Sequence, residues 1–368
     1  MANMNSLVVY ILLAEAALLS ADPIRGCYLT NWAQYRPEPG KWSFDRYEVG
    51  ACTHIFYAFA QTDTSGVASS TDASDLTNGY AGLKALKKKQ AGLKTILSFG
   101  GSSFGNFPTV AASEESRQTF AKNVVAFAKQ YGFDGVDIDW EFPTADQKDL
   151  FTQLVQAVKT AGGGDFLVTA AVTANADTAA QIYDFASLQK SLDFLNIMAY
   201  DFHGTWETVT GENAPLYGSG KFTVDYITQY YNKHFPAAKI LLGIPTYGRG
   251  WTLASSSPNQ GPGSAALSAS PAMATTQTQG ILSYYEACQV IQQGGVSSWD
   301  NTSQVPYVQQ SNLWYSYDNQ KSVSLKATYA KSNGLAGVFV WTLDFDDFEN
   351  VCKEGKLPLL NSIKSALT

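Results

Sequence analysis

The sequence predicts an α/β fold, a (β/α)8 barrel with an α+β subdomain inserted between the seventh strand and the following helix. Three observations predict it: eight short apolar segments follow one another from Ile24 onward, amphipathic segments separate them, and most of the short segments are apolar on both faces. Strands that are apolar on both faces and alternate with helices form parallel sheets. Eight such repeats close the sheet into a barrel, whose active site lies at the C-terminal ends of the strands.

The strand candidates are short and rich in β-branched and aromatic residues. In chain order they are Ile24–Leu29, His54–Ala60, Lys94–Phe99, Phe133–Asp139, Leu167–Val172, Phe194–Tyr200, Ile240–Pro245 and Gly337–Leu343. Segments between and after them repeat their apolar residues with the helical period. The predicted helices are Tyr80–Gln90, Glu114–Tyr131, Asp146–Ala161, Thr223–Phe235, Ser322–Ser332 and Leu359–Leu367.

The interval from Trp251 to Tyr317 is too long for a connection between a strand and a helix. Its first part, Ser255 to Gly280, is rich in Ser, Gly, Pro and Thr, but strand-like and aromatic segments follow. A disordered linker is the alternative, and the aromatic residues argue against it. We therefore expect a subdomain at 251–317 and a catalytic barrel at 22–250 and 318–368.

Composition and charge narrow the classes of function. The chain has 368 residues, of which 45% are hydrophobic and 15% charged, so it can bury a large core. A net charge of −7 argues against nucleic acid as a partner, because phosphate binding needs a basic face. Aromatic residues make up 13% of the chain, an excess that fits either a core or a sugar-binding cleft.

An apolar run from Leu7 to Ser20 ends in small residues before Asp22-Pro23. This pattern predicts a secretory signal at residues 1–21, cleaved near Ala21, and hence a secreted, extracellular protein without a membrane anchor. A retained anchor is the alternative. Glu15 interrupts the run, however, and leaves too few apolar residues to span a bilayer comfortably.

Four cysteines remain after that segment, Cys27, Cys52, Cys288 and Cys352. An even number suits an oxidising compartment, and the sequence alone leaves three pairings open. Asn301-Thr302-Ser303 is a sequon for N-glycosylation, which places it on a surface loop of a secreted protein.

The predicted fourth strand and the two residues after it alternate acidic and apolar side chains. Because side chains alternate across a strand, Asp137, Asp139 and Glu141 share one face and the apolar residues between them cover the other. A solvated edge strand is one alternative, but the apolar face and the flanking helices favour a central strand. A calcium loop is another, but such loops place glycine and polar residues between their ligands.

Three carboxylates in this row are crowded. Neighbours on one face of a strand lie roughly 6.5 Å apart along it. Simultaneous negative charges at that spacing repel strongly in a site of low dielectric constant, so at least one carboxyl keeps its proton near neutral pH. A general acid needs such a retained proton. Glu141, the last of the row, is the candidate.

The pattern Asp134-x-x-Asp137-x-Asp139-x-Glu141, with Gly135 and Trp140 in place, resembles the signature of family 18 glycoside hydrolases, the chitinases and chitinase-like lectins. The resemblance extends along nearly the whole chain after residue 21. It implies disulfides between Cys27 and Cys52 and between Cys288 and Cys352. It also implies an insertion subdomain of the kind found in processive-type chitinases. We expect a catalytic domain alone, with no carbohydrate-binding module after Thr368, that acts as a monomer.

Residues unusual for a core stand at the other predicted strand ends. In the family a Met-x-Tyr-Asp motif lines the sugar site beside the cleaved bond, and here it matches Met198-Ala199-Tyr200-Asp201. The resemblance also implies that Trp341 forms the floor beneath the reacting sugar, with Tyr28 and Phe59 around it, while glycines leave space for substrate. The further candidates for substrate binding are Gly100, Gly101, Ser102, Ser103, Phe142, Tyr247 and Arg249.

Two positions depart from the family pattern. Ser102 stands where relatives of this type usually have a tryptophan that stacks on a distant sugar, and the loop from Thr62 to Ser74 lacks an aromatic residue found in many relatives. Losing one stacking face weakens binding by about 1–3 kcal/mol, by analogy with base stacking. We therefore expect weaker binding of long chains on the non-reducing side and an intact bond-breaking centre.

The resemblance implies an endo-type chitinase that hydrolyses β-1,4 bonds between N-acetylglucosamine units of chitin or chito-oligosaccharides with retention. The mechanism is substrate-assisted, with the 2-acetamido oxygen as nucleophile. In it Glu141 acts as acid and then as base, and Asp139 accepts a hydrogen bond from the acetamido N–H. Asp137 shares a proton with Asp139, and Tyr200 orients the acetamido carbonyl.

No metal or organic cofactor is expected for this chemistry. The three histidines, His54, His203 and His234, lack the spacing of metal ligands. Two rival functions remain: a chitin-binding lectin without catalysis, in which the acid at the position of Glu141 is commonly replaced, and a hydrolase of N-glycan cores. Neither nucleic acid nor a membrane is an expected partner.

Overall fold

The computed structural model describes residues 22–255 and 260–368, so the predicted signal at 1–21 lies outside the described residues. The described strands are β1 (Ile24–Thr30), β2 (His54–Thr62), β3 (Ala68–Ser70), β4 (Lys94–Gly100), β5 (Gly135–Asp139), β6 (Leu167–Val172), β7 (Phe194–Ile197), β8 (Ile240–Pro245), β9 (Tyr247–Leu253), β10 (Ala266–Ala269), β11 (Ile281–Ser283), β12 (Val296–Asp300), β13 (Val305–Gln310), β14 (Leu313–Ser316) and β15 (Gly337–Trp341).

The described α-helices are α1 (Tyr80–Lys89), α2 (Phe107–Val110), α3 (Glu114–Gln130), α4 (Lys148–Gly162), α5 (Ala176–Ile182), α6 (Phe185–Leu188), α7 (Val224–His234), α8 (Tyr284–Gln292), α9 (Gln320–Ser332) and α10 (Pro358–Leu367). Short 3-10 turns cover Asn31–Tyr35, Phe44–Arg46, Ala145–Gln147, Ala237–Lys239 and Leu343–Phe345, and a π-helical turn covers Asp75–Gly79.

The predicted (β/α)8 barrel, a TIM barrel, is confirmed. Parallel strands pair in the order β1-β15-β8-β7-β6-β5-β4-β2, and β1 also pairs with β2, which closes the sheet. Apolar residues of the strands and the surrounding helices form the main core, in which Ile138, Val168 and Leu195 are fully buried. The first acid of the motif, Asp134, lies just before β5, at the N-terminal end of that strand. It accepts a hydrogen bond from Lys87 Nζ at 2.7 Å.

Strand β7, the sixth predicted strand, is shorter than expected. We expected it to reach Tyr200, but β7 ends at Ile197. Beyond it the Ala199 N–H donates to the Ile197 carbonyl at 2.8 Å and the Tyr200 N–H donates to the Met198 carbonyl at 2.8 Å. These local bonds turn the backbone out of the ladder, a change that the apolar pattern does not reveal.

A second, antiparallel sheet stands between β8 and α9. Its strands pair in the order β10-β9-β14-β13-β12, and β11 also pairs with β9, along the same edge as β10. The sheet begins at Tyr247, before the predicted start of the insertion at Trp251. Its own small core contains Trp251, Leu253 and Trp314.

Two disulfides fasten the chain. Cys27 on β1 is bonded to Cys52, and Cys288 on α8 is bonded to Cys352, so the second bond ties the inserted unit to the segment after β15. Across residues 22–255 and 260–368, the helices are too short or too polar for one of them to cross a bilayer.

Candidate active site

Asp137 lies inside the barrel and is fully buried. Its Oδ2 accepts hydrogen bonds from Ser98 Oγ at 2.7 Å and Tyr28 Oη at 2.9 Å, and its Oδ1 accepts one from Thr169 Oγ1 at 2.6 Å. Burial raises the pKa of Asp137, and these hydrogen bonds partly offset the increase. Asp137 is thus held rigidly by side chains from three other strands.

Asp139 is the next acid toward the C-terminal end of β5 and is also buried. Its Oδ1 has no hydrogen-bond partner among the described residues. Burial, followed by the negative charges of Glu141 and Asp137, raises the pKa of Asp139 well above its usual value. A buried carboxylate oxygen without a donor is unusual in a folded protein and marks a place where a ligand can supply one.

Asp137 is predicted to share a proton with Asp139. In the structure Thr169, Ser98 and Tyr28 donate hydrogen bonds to the oxygens of Asp137. The acids influence each other through charge, and Asp139 is affected more by Glu141 than by Asp137.

Glu141 follows the end of β5 and opens onto the cavity. Although the side chain is accessible to solvent, the surrounding walls remove part of its hydration. This desolvation, with a smaller contribution from the negative charge of Asp201, raises the pKa of Glu141 to about 7. A carboxyl with this pKa keeps its proton in weakly acidic solution and releases it readily.

Asp201 belongs to the loop after β7 and adopts a left-handed backbone conformation with φ of 59°. Its carboxylate accepts a hydrogen bond from Arg249 Nε at 2.8 Å and one from Tyr247 Oη, and it forms an ion pair with Arg249 Nη2 at 2.6 Å. Asn213 supports the loop, because its Oδ1 accepts the Asp201 N–H at 3.0 Å and its Nδ2 donates to the Tyr247 carbonyl at 3.2 Å. These contacts join the barrel loop to the inserted sheet.

A continuous row of aromatic rings runs across the barrel mouth. The Trp341 ring lies 5.4 Å from Tyr28 and stacks on Phe59 at 6.0 Å between centroids. Phe59 in turn stacks on Trp32 at 6.1 Å, and Trp32 is 42% exposed. Flat apolar faces of this kind suit pyranose rings, so the row forms a hydrophobic surface from the cavity outward.

A cavity of about 660 Å³ lies over the acids. Ten of the predicted site residues line it: Ser102, Asp139, Glu141, Phe142, Met198, Tyr200, Asp201, Tyr247, Arg249 and Trp341. Tyr28 and Phe59 lie behind Trp341, and Asp137 lies beneath Asp139. The structure therefore brings residues from five distant parts of the chain to one place.

Besides Tyr28 and Phe59, four predicted contacts do not line the cavity. Ala199 is fully buried in the core, and Ser103 does not border the cavity. Gly100 and Gly101 were expected to leave space for substrate, but they make room for protein. A Cβ on Gly100 would lie 2.0 Å from the Asp139 carbonyl oxygen, and one on Gly101 would lie 2.7 Å from the Phe59 ring. Both glycines also have positive φ.

Several residues of the cavity wall were not predicted from the sequence: Thr173, Ala174, Asn175, Phe202, Trp206, Glu207 and Phe222. Trp206 is 61% exposed and lies 5.1 Å from the Arg249 guanidinium. His203 Nδ1 lies 3.0 Å from Glu207 Oε2. Their position just after predicted strand ends is the one feature of the sequence that points to the cavity wall. Loop residues have no periodicity that shows which way their side chains face.

Among the described residues, one group of three potential metal ligands lies close enough together to hold an ion, Cys288, Cys352 and Glu354. The two cysteines are joined in a disulfide and therefore offer no thiolate.

Comparisons with known proteins agree with this geometry. The chain is 41% identical over 374 residues to a probable endochitinase of Caenorhabditis elegans, and the match covers 94% of this chain but 60% of that protein. The solved structure of an immunomodulatory active chitinase from Trichuris suis is similar, with a TM-score of 0.91 and 38% identity over 94% of this chain and all of that one.

Human YKL-39, described as a pseudo-chitinase with retained chitooligosaccharide binding, is also similar. Its TM-score is 0.88, with 33% identity over 94% of this chain and 99% of that one. The model of the family described as glycosyl hydrolases family 18 matches residues 25–346. The chain therefore belongs to glycosyl hydrolase family 18.

Proposed function

We propose that this protein is an endo-type chitinase, which hydrolyses β-1,4 bonds between N-acetylglucosamine units of chitin and chito-oligosaccharides and retains the anomeric configuration. One observation carries the proposal. In the row of acids, Asp139, whose buried Oδ1 has no hydrogen-bond partner among the described residues, follows Asp137 and precedes a Glu141 whose pKa is raised to about 7. This arrangement supplies a hydrogen-bond acceptor and a proton donor side by side.

Glu141 is the general acid and then the general base. With a pKa near 7 it is protonated in weakly acidic solution and gives its proton to the departing glycosidic oxygen. The resulting carboxylate then removes a proton from the water that attacks the anomeric carbon.

Asp139 accepts the acetamido N–H of the reacting sugar at its free Oδ1. In a substrate-assisted reaction the acetamido oxygen attacks the anomeric carbon and an oxazolinium ion forms. A carboxylate in a buried site stabilises that positive charge more strongly than it would in water. Tyr200, at the cavity wall, orients the acetamido carbonyl, and Asp137 holds the electrostatic environment of Asp139 constant.

The other predicted residues that line the cavity bind and orient the sugars. Trp341 forms the floor, and the row through Phe59 to Trp32 continues the apolar surface along the cleft. Asp201 and Arg249 offer polar contacts at the opposite wall. Ser102 leaves one part of the wall without a stacking ring.

A lectin that binds chito-oligosaccharides without catalysis is the second candidate, since YKL-39 has the same fold. The intact row of Asp137, Asp139 and Glu141 favours the enzyme. The N-glycan core remains a candidate substrate. Rates on chito-oligosaccharides and on a high-mannose glycopeptide distinguish it from chitin.

The test is the variant Glu141→Gln, assayed with a fluorogenic chitobioside and with chitotetraose binding. We expect turnover to fall by roughly 10³-fold or more, because amide nitrogen cannot donate a proton to the leaving oxygen, whereas binding is retained. Glu115→Gln, an exposed glutamate on α3, is the control and should behave as the parent protein. Activity retained in Glu141→Gln would exclude the proposed mechanism, and a parent protein that binds without turnover would favour the lectin.

We also propose that the protein is secreted and acts as a monomer. Two disulfides among the described residues fit an oxidising compartment. Asn301 lies in an exposed turn after β12, where a glycan could be attached.

A further inference from the structure

Two further acidic residues lie close together outside the catalytic row, where the barrel loop after β7 meets the inserted sheet. Glu212 of the loop is 7% exposed, and the carboxyl of Asp300, at the end of β12, lies within hydrogen-bonding reach of it. Ser303 Oγ donates to Glu212 Oε1 at 3.2 Å. The Leu216 N–H donates to the Ser303 carbonyl at 2.8 Å, so the loop and the turn after β12 are also joined through their backbones.

Asp300 is held as the acceptor of this pair. Its Oδ1 accepts the N–H groups of Thr302 at 2.6 Å and Ser303 at 3.1 Å. Asp300 is also the charged group with the largest effect on Glu212. Beside Asp300 in the chain, the ring of Trp299 is covered by the ammonium group of Lys321, on α9, at 3.6 Å.

Glu212 directly precedes the residue that holds Asp201. The Asn213 N–H donates to Ser316 Oγ at 2.8 Å, and its side chain accepts the Asp201 N–H and donates to the Tyr247 carbonyl. A displacement of Glu212 therefore moves Asn213, and with it the carboxylate that faces Glu141 across the cavity.

We propose that Glu212 and Asp300 share one proton, and that the pair positions Asn213 and, through it, Asp201 for sugar binding. The role of Asp201 in this inference depends on the proposed function. Glu212 is a positioning residue, since it does not line the cavity. Its hydrogen bond to Asp300 exists only while one of the two carboxyls keeps a proton.

The connection makes the cleft sensitive to pH. Burial, followed by the contact with Asp300, raises the pKa of Glu212 to about 6. Because the pKa of Glu212 is higher in the folded protein than in the unfolded chain, protonated Glu212 stabilises the fold fully below the ordinary pKa of glutamate. That stabilisation is lost as the pH rises through about 6. Above that pH two adjacent carboxylates repel each other and loosen the loop.

The experiment uses the full chain carrying Glu141→Gln, so that neither turnover nor titration of Glu141 affects the readout. Chitotetraose affinity is measured by tryptophan fluorescence between about pH 5 and pH 7.5, with and without Glu212→Gln. The amide that Glu212→Gln introduces can donate to Asp300 at every pH. We expect affinity to fall about threefold or more across this range in the single variant and to stay nearly constant in the double variant.

Two further arms complete the test. Glu212→Ala removes the hydrogen bond and should reduce affinity at about pH 5, where the pair holds its proton, with circular dichroism confirming that the protein is folded. Asp300→Asn should flatten the pH dependence as Glu212→Gln does. Equal pH dependence with and without Glu212→Gln would overturn the inference. Absence of turnover in the parent protein would instead contradict the proposed function. The two outcomes are distinguishable because the binding measurement does not require catalysis.

Discussion

At the scale of single residues, the three acids of the row along and after β5 differ because their neighbours differ. Asp137 accepts hydrogen bonds from Ser98, Tyr28 and Thr169, whereas Asp139 has an unpartnered oxygen and Glu141 borders the cavity. Period-two alternation in the sequence predicts that the acids share a face. It does not predict these partners, which come from other strands and depend on the register of the closed barrel.

The charge of Asp201 offers a test of the raised pKa of Glu141. We predict that Asp201→Asn lowers the pKa of Glu141 from about 7 toward its ordinary value, because a neighbouring negative charge is removed. The alkaline limb of the kcat/KM profile should then move to lower pH, while burial still keeps the pKa above that of an exposed glutamate.

The matched control for this measurement is Asp177→Asn, which removes an exposed carboxylate paired with Lys221. Its pH profile should match that of the parent protein. An alkaline limb that stays in place in Asp201→Asn would show that Asp201 does not influence Glu141, or that Glu141 does not control that limb.

At the scale of elements, the strand and helix positions could be predicted because burial imposes a period on each of them. The errors occur at strand ends. The predicted fourth strand starts at Phe133, but β5 starts at Gly135, and the Phe133 N–H donates to the Ala128 carbonyl in the last turn of α3. The left-handed backbone at Asp201 likewise depends on Asn213, twelve residues later, and no local pattern identifies such a partner.

A buried ion pair joins helix α9 to the segment just before it, and its contribution to the free energy of unfolding can be measured. Lys326 is fully buried, and its Nζ lies 2.5 Å from Asp318 Oδ1, which also accepts a hydrogen bond from Ser322 Oγ. We predict that Lys326→Met lowers the free energy of unfolding by about 3–5 kcal/mol, because it leaves Asp318 buried without its cation.

Two comparisons make that measurement specific. Lys331→Met, which changes an exposed lysine on the same helix, should alter stability little. The double variant Lys326→Met with Asp318→Asn should recover part of the loss, because no buried charge remains. A small effect of Lys326→Met in denaturant titration would contradict the account of this pair.

At the scale of the whole molecule, the cleft is a joint product of the barrel and the inserted sheet. β5 supplies the acids, the loop after β7 supplies Asp201, and β9 supplies Arg249. The sequence could predict that an insertion exists, from its length and its aromatic residues. It could not predict that the inserted sheet begins with β9 at Tyr247 and contributes a wall, because that depends on contacts between segments far apart in the chain.

The central claim is that Glu141 protonates the glycosidic oxygen and Asp139 accepts the acetamido N–H of the reacting sugar, with the substrate's own acetamido group as nucleophile. The most direct measurement is proton NMR of the products of chitotetraose hydrolysis, recorded before the anomers equilibrate. The account predicts that the β-anomer forms first, since two displacements at the anomeric carbon restore its configuration. Initial formation of the α-anomer would contradict it.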